Sequence, residues 1–228
     1  MPVSQTLVAL PAALVGLSMA LVGIERPDAT PVTVESKRRG FELLRDGEPY
    51  FIKGVGGDRY LEQLAEAGGN SIRTWSVGRR TKRLLDEAHA QGVSVTLGIW
   101  LARVGTGFDY GSERDLERQT REVREAVERY RDHPAVLLWA LGNEAEGDGS
   151  DPRYYEHLES LAKLVAERDP DHPTMTVIAE LGDGGKKVRD LGRRAPSVDV
   201  SGINSYGSIE TVPERYRSAG GDRPYVVT

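Results

Sequence analysis

The 228-residue sequence contains no cysteine, which excludes disulfides, thiolate metal centres and cysteine nucleophiles together. Histidine is nearly as scarce. His133 and His172 each sit in an Asp-His-Pro step before an apolar run and read as turn and cap residues, while His89 and His157 lie inside helical patterns. They assemble neither a triad nor a metal site, and neither metal nor cofactor is expected. Positive charge is not in excess: the net charge of −5 gives no reason to expect nucleic acid or an anionic membrane as partner. A phosphate-binding loop is missing too. Gly54-Val55-Gly56-Gly57-Asp58 lacks the later glycine and the lysine such loops need, and a tight turn accounts for its glycines. Asp148, Gly149 and Asp151 fail the spacing of a calcium loop. With 39% hydrophobic and 29% charged residues, the composition is that of an ordinary soluble globular protein.

One long uncharged run stands out, Leu7 to Val22. It is shorter than the roughly twenty residues of a membrane span but suits a signal-peptide core, with Ser18-Met19-Ala20 as small residues at cleavage spacing. The first six residues lack the usual Lys or Arg. Residues 1–23 are expected to be a signal peptide and the protein secreted or periplasmic, a retained N-terminal anchor being the alternative. Residues 24–39, polar and carrying Pro27 and Pro31, read as a linker, and residues 40–228 as the folded domain.

That domain opens with a hairpin signal, Asp46-Gly47 between Phe41–Leu44 and Tyr50–Ile52. A unit then repeats: short apolar run, polar rim, amphipathic helix. Strands are predicted at Phe51–Val55, Asn70–Trp75, Val93–Trp100, Val136–Leu141, Thr174–Ile178, Val198–Ile203 and Pro224–Thr228. Helices are predicted at Tyr60–Ala67, Arg80–Gln91, Glu113–Arg131, Arg153–Arg168, Lys186–Leu191 and Pro213–Ala219. The charge run of Glu113–Arg131 is a solvated face opposite a stripe of Leu116, Val123 and Val127. Alternation of this kind demands parallel pairing with right-handed crossovers. Without a nucleotide loop the doubly wound open sheet loses to the barrel. The expected fold is an α/β (β/α)8 TIM barrel, incomplete with about seven strands, preceded by a short β-hairpin.

The run Val136–Leu141 ends abruptly in Gly142-Asn143-Glu144. In a parallel barrel such a switch falls at the C-terminal rim, where catalytic side chains sit. The same rim collects Arg73 and Trp75, Trp100, Glu180, and Asn204 with Tyr206. Each has a plain structural explanation alone. Together, carboxylates, amides and an arginine beside two tryptophans suit a sugar, which has an apolar ring face and a rim of hydroxyls.

Through Ser71-Ile72-Arg73-Thr74-Trp75, Trp139-Ala140-Leu141-Gly142-Asn143-Glu144 and Gly202-Ile203-Asn204-Ser205-Tyr206, the chain resembles the TIM-barrel catalytic domain of family-2 glycoside hydrolases, within the wider clan of retaining barrels that carry their acid/base on strand four. The resemblance runs from about Phe41 to Thr228. It implies Glu144 as general acid/base, Asn143 as the residue bonding the sugar 2-hydroxyl, and Arg73 with Tyr206 as the pair holding the nucleophile. Trp75, Trp100, Asn204 and Glu180 would line the substrate site, Glu180 without a role the resemblance defines. It further implies a nucleophilic glutamate directly after Pro224–Thr228, so the sequence is expected to be a fragment. The implied function is a retaining β-glycoside hydrolase, or a transglycosylase of the same double-displacement mechanism, with a carbohydrate substrate. The rival expectation is a non-catalytic carbohydrate-binding protein on the same scaffold. Sugar identity and oligomeric state are not legible.

Overall fold

In the computed structural model, residues 29–38 and 40–228 are described; the expected signal peptide and most of the expected linker lie outside them. Asp46 and Gly47 both take left-handed backbone, φ 54° and 75°, the geometry of the two-residue turn that matches strand twist. The turn joins β2 (Gly40–Arg45) to β3 (Glu48–Pro49). Ahead of them, Val32–Lys37 is not linker but strand β1, antiparallel to β2 from Val32 opposite Arg45 to Lys37 opposite Gly40. The apolar-polar alternation of Val32-Thr33-Val34-Glu35 drives this. Val32 is buried among Leu137, Leu138 and Met175, and its N–H donates to Asp171 O at 2.7 Å. The three-stranded sheet caps the end of the larger sheet where its strands begin, and Arg45 donates to Pro134 O there at 2.8 Å.

The larger sheet has seven parallel strands in chain order: β4 (Gly54–Gly56), β5 (Ser71–Arg73), β6 (Ser94–Ile99), β7 (Val136–Asn143), β8 (Thr174–Ala179), β9 (Val200–Asn204) and β10 (Tyr225–Val227). Helices α1 (Leu61–Glu66), α2 (Thr81–Ala90), α3 (Glu113–Tyr130), α4 (Pro152–Arg168), α5 (Lys186–Arg194) and α6 (Val212–Ser218) lie between successive strands. The order confirms the barrel expectation. β4 and β10 do not pair with each other, so the sheet is a barrel wall with one opening. None of the described helices is long and apolar enough to cross a membrane.

The first barrel strand is shorter than the sequence suggests. Phe51 to Lys53 lie outside the ladder because the Asn70 amide replaces it: Asn70 accepts from Lys53 N at 2.8 Å and donates to Phe51 O at 2.9 Å. Strand β7 is buried from Val136 to Gly142, as its continuous apolar run requires. Trp139 within it donates its indole N–H to Asp169 Oδ2 at 2.7 Å, and the same oxygen meets His172 Nδ1 at 2.8 Å. His172 is thus part of a buried network rather than a simple cap. His133 behaves as expected, accepting from Ala135 N at 3.2 Å.

One buried histidine makes stability pH-dependent. His157 on α4 is only 7% exposed, its Nε2 finds no partner among the described residues, and burial pushes its pKa down to about 4. Its contribution is complete above about pH 6.5. As pH falls toward 4, the unfolded chain takes up a proton that the folded chain refuses, and on the order of 3 kcal/mol is lost. His157→Gln should flatten the fall in melting temperature between pH 7 and 4; an unchanged slope would show that His157 titrates normally.

Candidate active site

The rim forms where β7 stops. Gly142 has φ 79°, and a Cβ there would lie 3.2–3.3 Å from Ala145 and Leu101 side-chain carbons, so only glycine turns the chain here without strain. Glu144 follows with φ 53°, and Glu180, just past β8, with φ 50°. Left-handed backbone at a non-glycine residue costs about 1–3 kcal/mol and persists only where its surroundings fix it. The Glu144 N–H donates to Val177 O at 2.8 Å and the Glu180 N–H to Asn204 O at 2.9 Å. The neighbouring strand therefore holds both glutamates in their strained turns.

Side chains from the ends of β5 and β9 converge on Asn143 and Glu144 at the end of β7. Arg73 Nη1 donates to Asn143 Oδ1 at 3.0 Å. Asn204 Nδ2 lies 3.3 Å from the same oxygen and donates to Glu144 Oε1 at 2.6 Å. The Tyr206 hydroxyl donates to that same Glu144 oxygen. Thr228 Oγ1 donates to Asn204 Oδ1 at 2.6 Å, orienting the amide so that its NH₂ faces the carboxylate. The Arg73 guanidinium stands 5.2 Å over the Trp75 ring, a cation–π distance. β5 comes this close to β6 because Gly98 lacks a side chain: a Cβ there would sit 2.2 Å from Thr74 O.

Burial alone would raise the Glu144 pKa, but the donors from Tyr206 and Asn204 and the charges of Arg103 and Lys187 outweigh it, holding the carboxyl below its ordinary value. The bond to Glu144 raises the Tyr206 phenol, which stays neutral and donating. Burial pulls the Arg73 guanidinium down, opposed by the charge of Glu144. An arginine remains cationic regardless. The centre is an ionised carboxylate surrounded by donors.

Of the rim residues singled out in the sequence, Arg73, Trp75, Asn143, Asn204 and Tyr206 line one cleft inside the sheet, and Glu144 is bonded at its edge. Trp100 is 56% exposed and outside the lining of that cleft. Glu180 stands behind it: Oε1 accepts from Tyr206 N at 2.6 Å and Oε2 from Arg215 at 3.1 Å, so it shapes the loop bearing Tyr206. Tyr206 and Arg73, which the resemblance pairs with a nucleophile, contact Glu144 and Asn143. Sequence reasoning missed Thr228, Arg103, Glu146 and Lys187. Glu146 was within reach, two residues beyond Glu144; Lys187 sits in a helical pattern with nothing to mark it. No described group of His, Asp and Glu could hold a metal ion.

Residues 83–215 match the family model described as glycosyl hydrolases family 2, TIM barrel domain. Curated relatives include the β-glucuronidases of Felis catus, 25% identical over 185 residues, and Mus musculus, 28% identical over 188. Each alignment covers 73% of this chain, but the chain spans only 26% of the relative's length. Among solved structures, a family-2 β-galacturonidase from Eisenbergiella tayi superposes with TM-score 0.66 at 19% identity, covering 87% of this chain and 38% of that one.

Proposed function

Because the chain belongs to the glycosyl hydrolases of family 2 through its TIM-barrel domain, we propose that it carries the acid/base side of a retaining β-glycosidase centre, with Glu144 as the acid/base. The observation that carries this reading is the convergence of Arg73, Asn143, Asn204 and Tyr206 on one strained rim carboxylate. Retaining hydrolysis needs a carboxylic acid to protonate the departing oxygen and a carboxylate about 5–5.5 Å away to attack the anomeric carbon. Among the described residues no Asp or Glu lines the cleft. This reading places the nucleophile on the residue after Thr228, whose N–H is held by Ile203 O at 2.9 Å beside Asn204. A carboxylate arriving there competes for the Tyr206 hydroxyl and adds negative charge near Glu144. Both changes raise the Glu144 pKa toward that of a working acid. Asn143, fixed by Arg73 and Asn204, offers its amide to the sugar 2-hydroxyl, and Trp75 its exposed face to the ring.

Relatives named β-glucuronidase and β-galacturonidase make β-uronosides the first substrates to test, and Arg103 and Arg73 give the site cations for an acidic sugar. Transfer to a sugar hydroxyl would use the same machinery. For the full-length protein, proton NMR of the first product should show the β anomer before mutarotation. An α anomer formed first would overturn retention, and binding without turnover would favour a carbohydrate-binding role. Export, suggested by the run Leu7 to Val22, is proposed on sequence grounds only.

A further inference from the structure

Behind Glu144 lies an ion pair that the proposed chemistry does not use. Glu146, fully buried, accepts on Oε1 from Lys187 Nζ at 2.6 Å and from the backbone N–H of Ala179 at 3.0 Å. Lys187 Nζ also donates to Ala179 O at 3.0 Å. The β7–β8 register is irregular between Ala140 and Asn143, and its last pairing is Asn143 with Val177. Beyond that pairing the Glu146 carboxylate and the Lys187 ammonium occupy the N–H and C=O of Ala179. Two side chains thus continue the ladder past the point where β7 turns away into the rim. The fit is tight: a Cβ on Gly182 would come within 2.8 Å of Lys187 Cγ.

Such an arrangement is costly for stability alone. Glu146 Oε2 is buried with no partner among the described residues, and a buried ion pair is generally no more stabilising than apolar residues of similar volume. Its position suggests what maintains it. Glu146 and Glu144 belong to the same turn, whose strained backbone needs outside support, and Ala179 directly precedes Glu180, whose carboxylate holds Tyr206. We infer that the Lys187–Glu146 pair is a positioning element for the acid/base: it clamps the two rim turns bearing Glu144 and Glu180 and sets one balanced positive charge behind Glu144. This inference rests on the proposed role of Glu144.

The groups involved are known from every side. Glu144 is faced by Asn204 at the end of β9 and Tyr206 after it, Arg73 on β5, Arg103 after β6, and Lys187 on α5. Glu146 is faced by Lys187 and by the phenols of Tyr154 and Tyr155 on α4, and Lys186 beside it is paired with Asp190 at 2.5 Å. Removing either partner leaves the other's charge uncompensated, with opposite signs. Lys187→Met leaves a net negative charge and should move the basic limb of the kcat/KM profile to higher pH. Glu146→Gln leaves a positive charge and should move it to lower pH. In both, kcat on a glycoside with a poor leaving group should fall about 10-fold or more, as expected for a misplaced catalytic group, with KM nearly constant. Lys187→Arg should return the limb toward the parent position.

Profiles of the full-length protein and the three variants, run beside Glu144→Gln, test this. Limb shifts in opposite directions support the inference. If Glu144→Gln abolishes the basic limb but the Lys187 and Glu146 variants leave it in place, the pair is only structural and the inference fails while the role of Glu144 stands. If the limb survives Glu144→Gln, both fail. Should Lys187→Met not fold, Glu146→Gln, which keeps the shape and an acceptor for Ala179, decides alone by the direction of its shift.

Discussion

Glu144→Gln is expected to slow hydrolysis of glycosides with alkyl or sugar leaving groups by about 10²–10⁴-fold, the usual contribution of a positioned general acid. The loss should be far smaller for formation of the glycosyl-enzyme from a nitrophenyl glycoside, whose leaving group departs without a proton. The glutamine preserves shape and can still accept from Asn204 and Tyr206, so the cleft should keep its form and KM on the aryl substrate should change little. Measurement requires pre-steady-state kinetics on an active form, because in the proposed double displacement the second step also uses Glu144 as base. An equal loss of the first step on both substrates would contradict the acid role. Tyr206 and Asn204, by donating to Glu144, hold its pKa below the ordinary value, so the acid role calls for those donors to be drawn toward another partner.

The 228-residue chain by itself is expected to melt at a markedly lower temperature than a form lengthened past Thr228 by a strand that pairs with both β10 and β4, and to turn over no aryl β-glycoside. A barrel wall is free of edges only when its last strand pairs with its first, and β4 and β10 are not paired. Phe51, Val55 and Phe41, beside that opening, are 79%, 51% and 44% exposed. Leaving three such side chains in water forgoes on the order of 5 kcal/mol, comparable to the whole stability of a typical domain, about 5–15 kcal/mol. Differential scanning calorimetry and a turnover assay on the two forms check both statements. Equal melting temperatures would show that the opening is not a weakness, and turnover by the short form would refute a nucleophile placed after Thr228.

Much of the architecture was legible because its signal is local. Strand β7 is a continuous apolar run and ends within two residues of where that run ends. The other parallel strands, most of them interrupted by Ser, Thr or Gly, fall inside, or run one residue past, the segments that the alternation of short strand and amphipathic helix marks out. The helices followed from their amphipathic pattern, and the structure adds their caps: Ser112 accepts from Asp115 N at the start of α3, and Asp151 from Arg153 N at the start of α4. β1 was misread as linker because its burial is decided by what it meets, the apolar side chains of β7 and β8, and a short run with two prolines nearby does not announce that. β4 was over-extended because Phe51-Ile52 has a strand's composition, whereas its ladder bonds are taken by the side chain of Asn70, distant in sequence.

By itself the sequence determined the parallel α/β order and the rim, since the change from apolar run to polar residue marks the end of a buried strand wherever it occurs. It thereby named Arg73, Trp75, Asn143, Glu144, Asn204 and Tyr206 as neighbours. Only the tertiary structure decided which of them share a proton and which merely adjoin. Tyr206 and Asn204 donate to Glu144 because parallel registry brings the ends of β7 and β9 level on either side of β8. Trp100 falls outside the cleft. Glu180 turns behind Tyr206, and Lys187 reaches Glu146 across some forty positions of chain. Hydrogen bonds and charge interactions vary over fractions of an ångström to a few ångströms, a scale that packing sets and residue order alone does not.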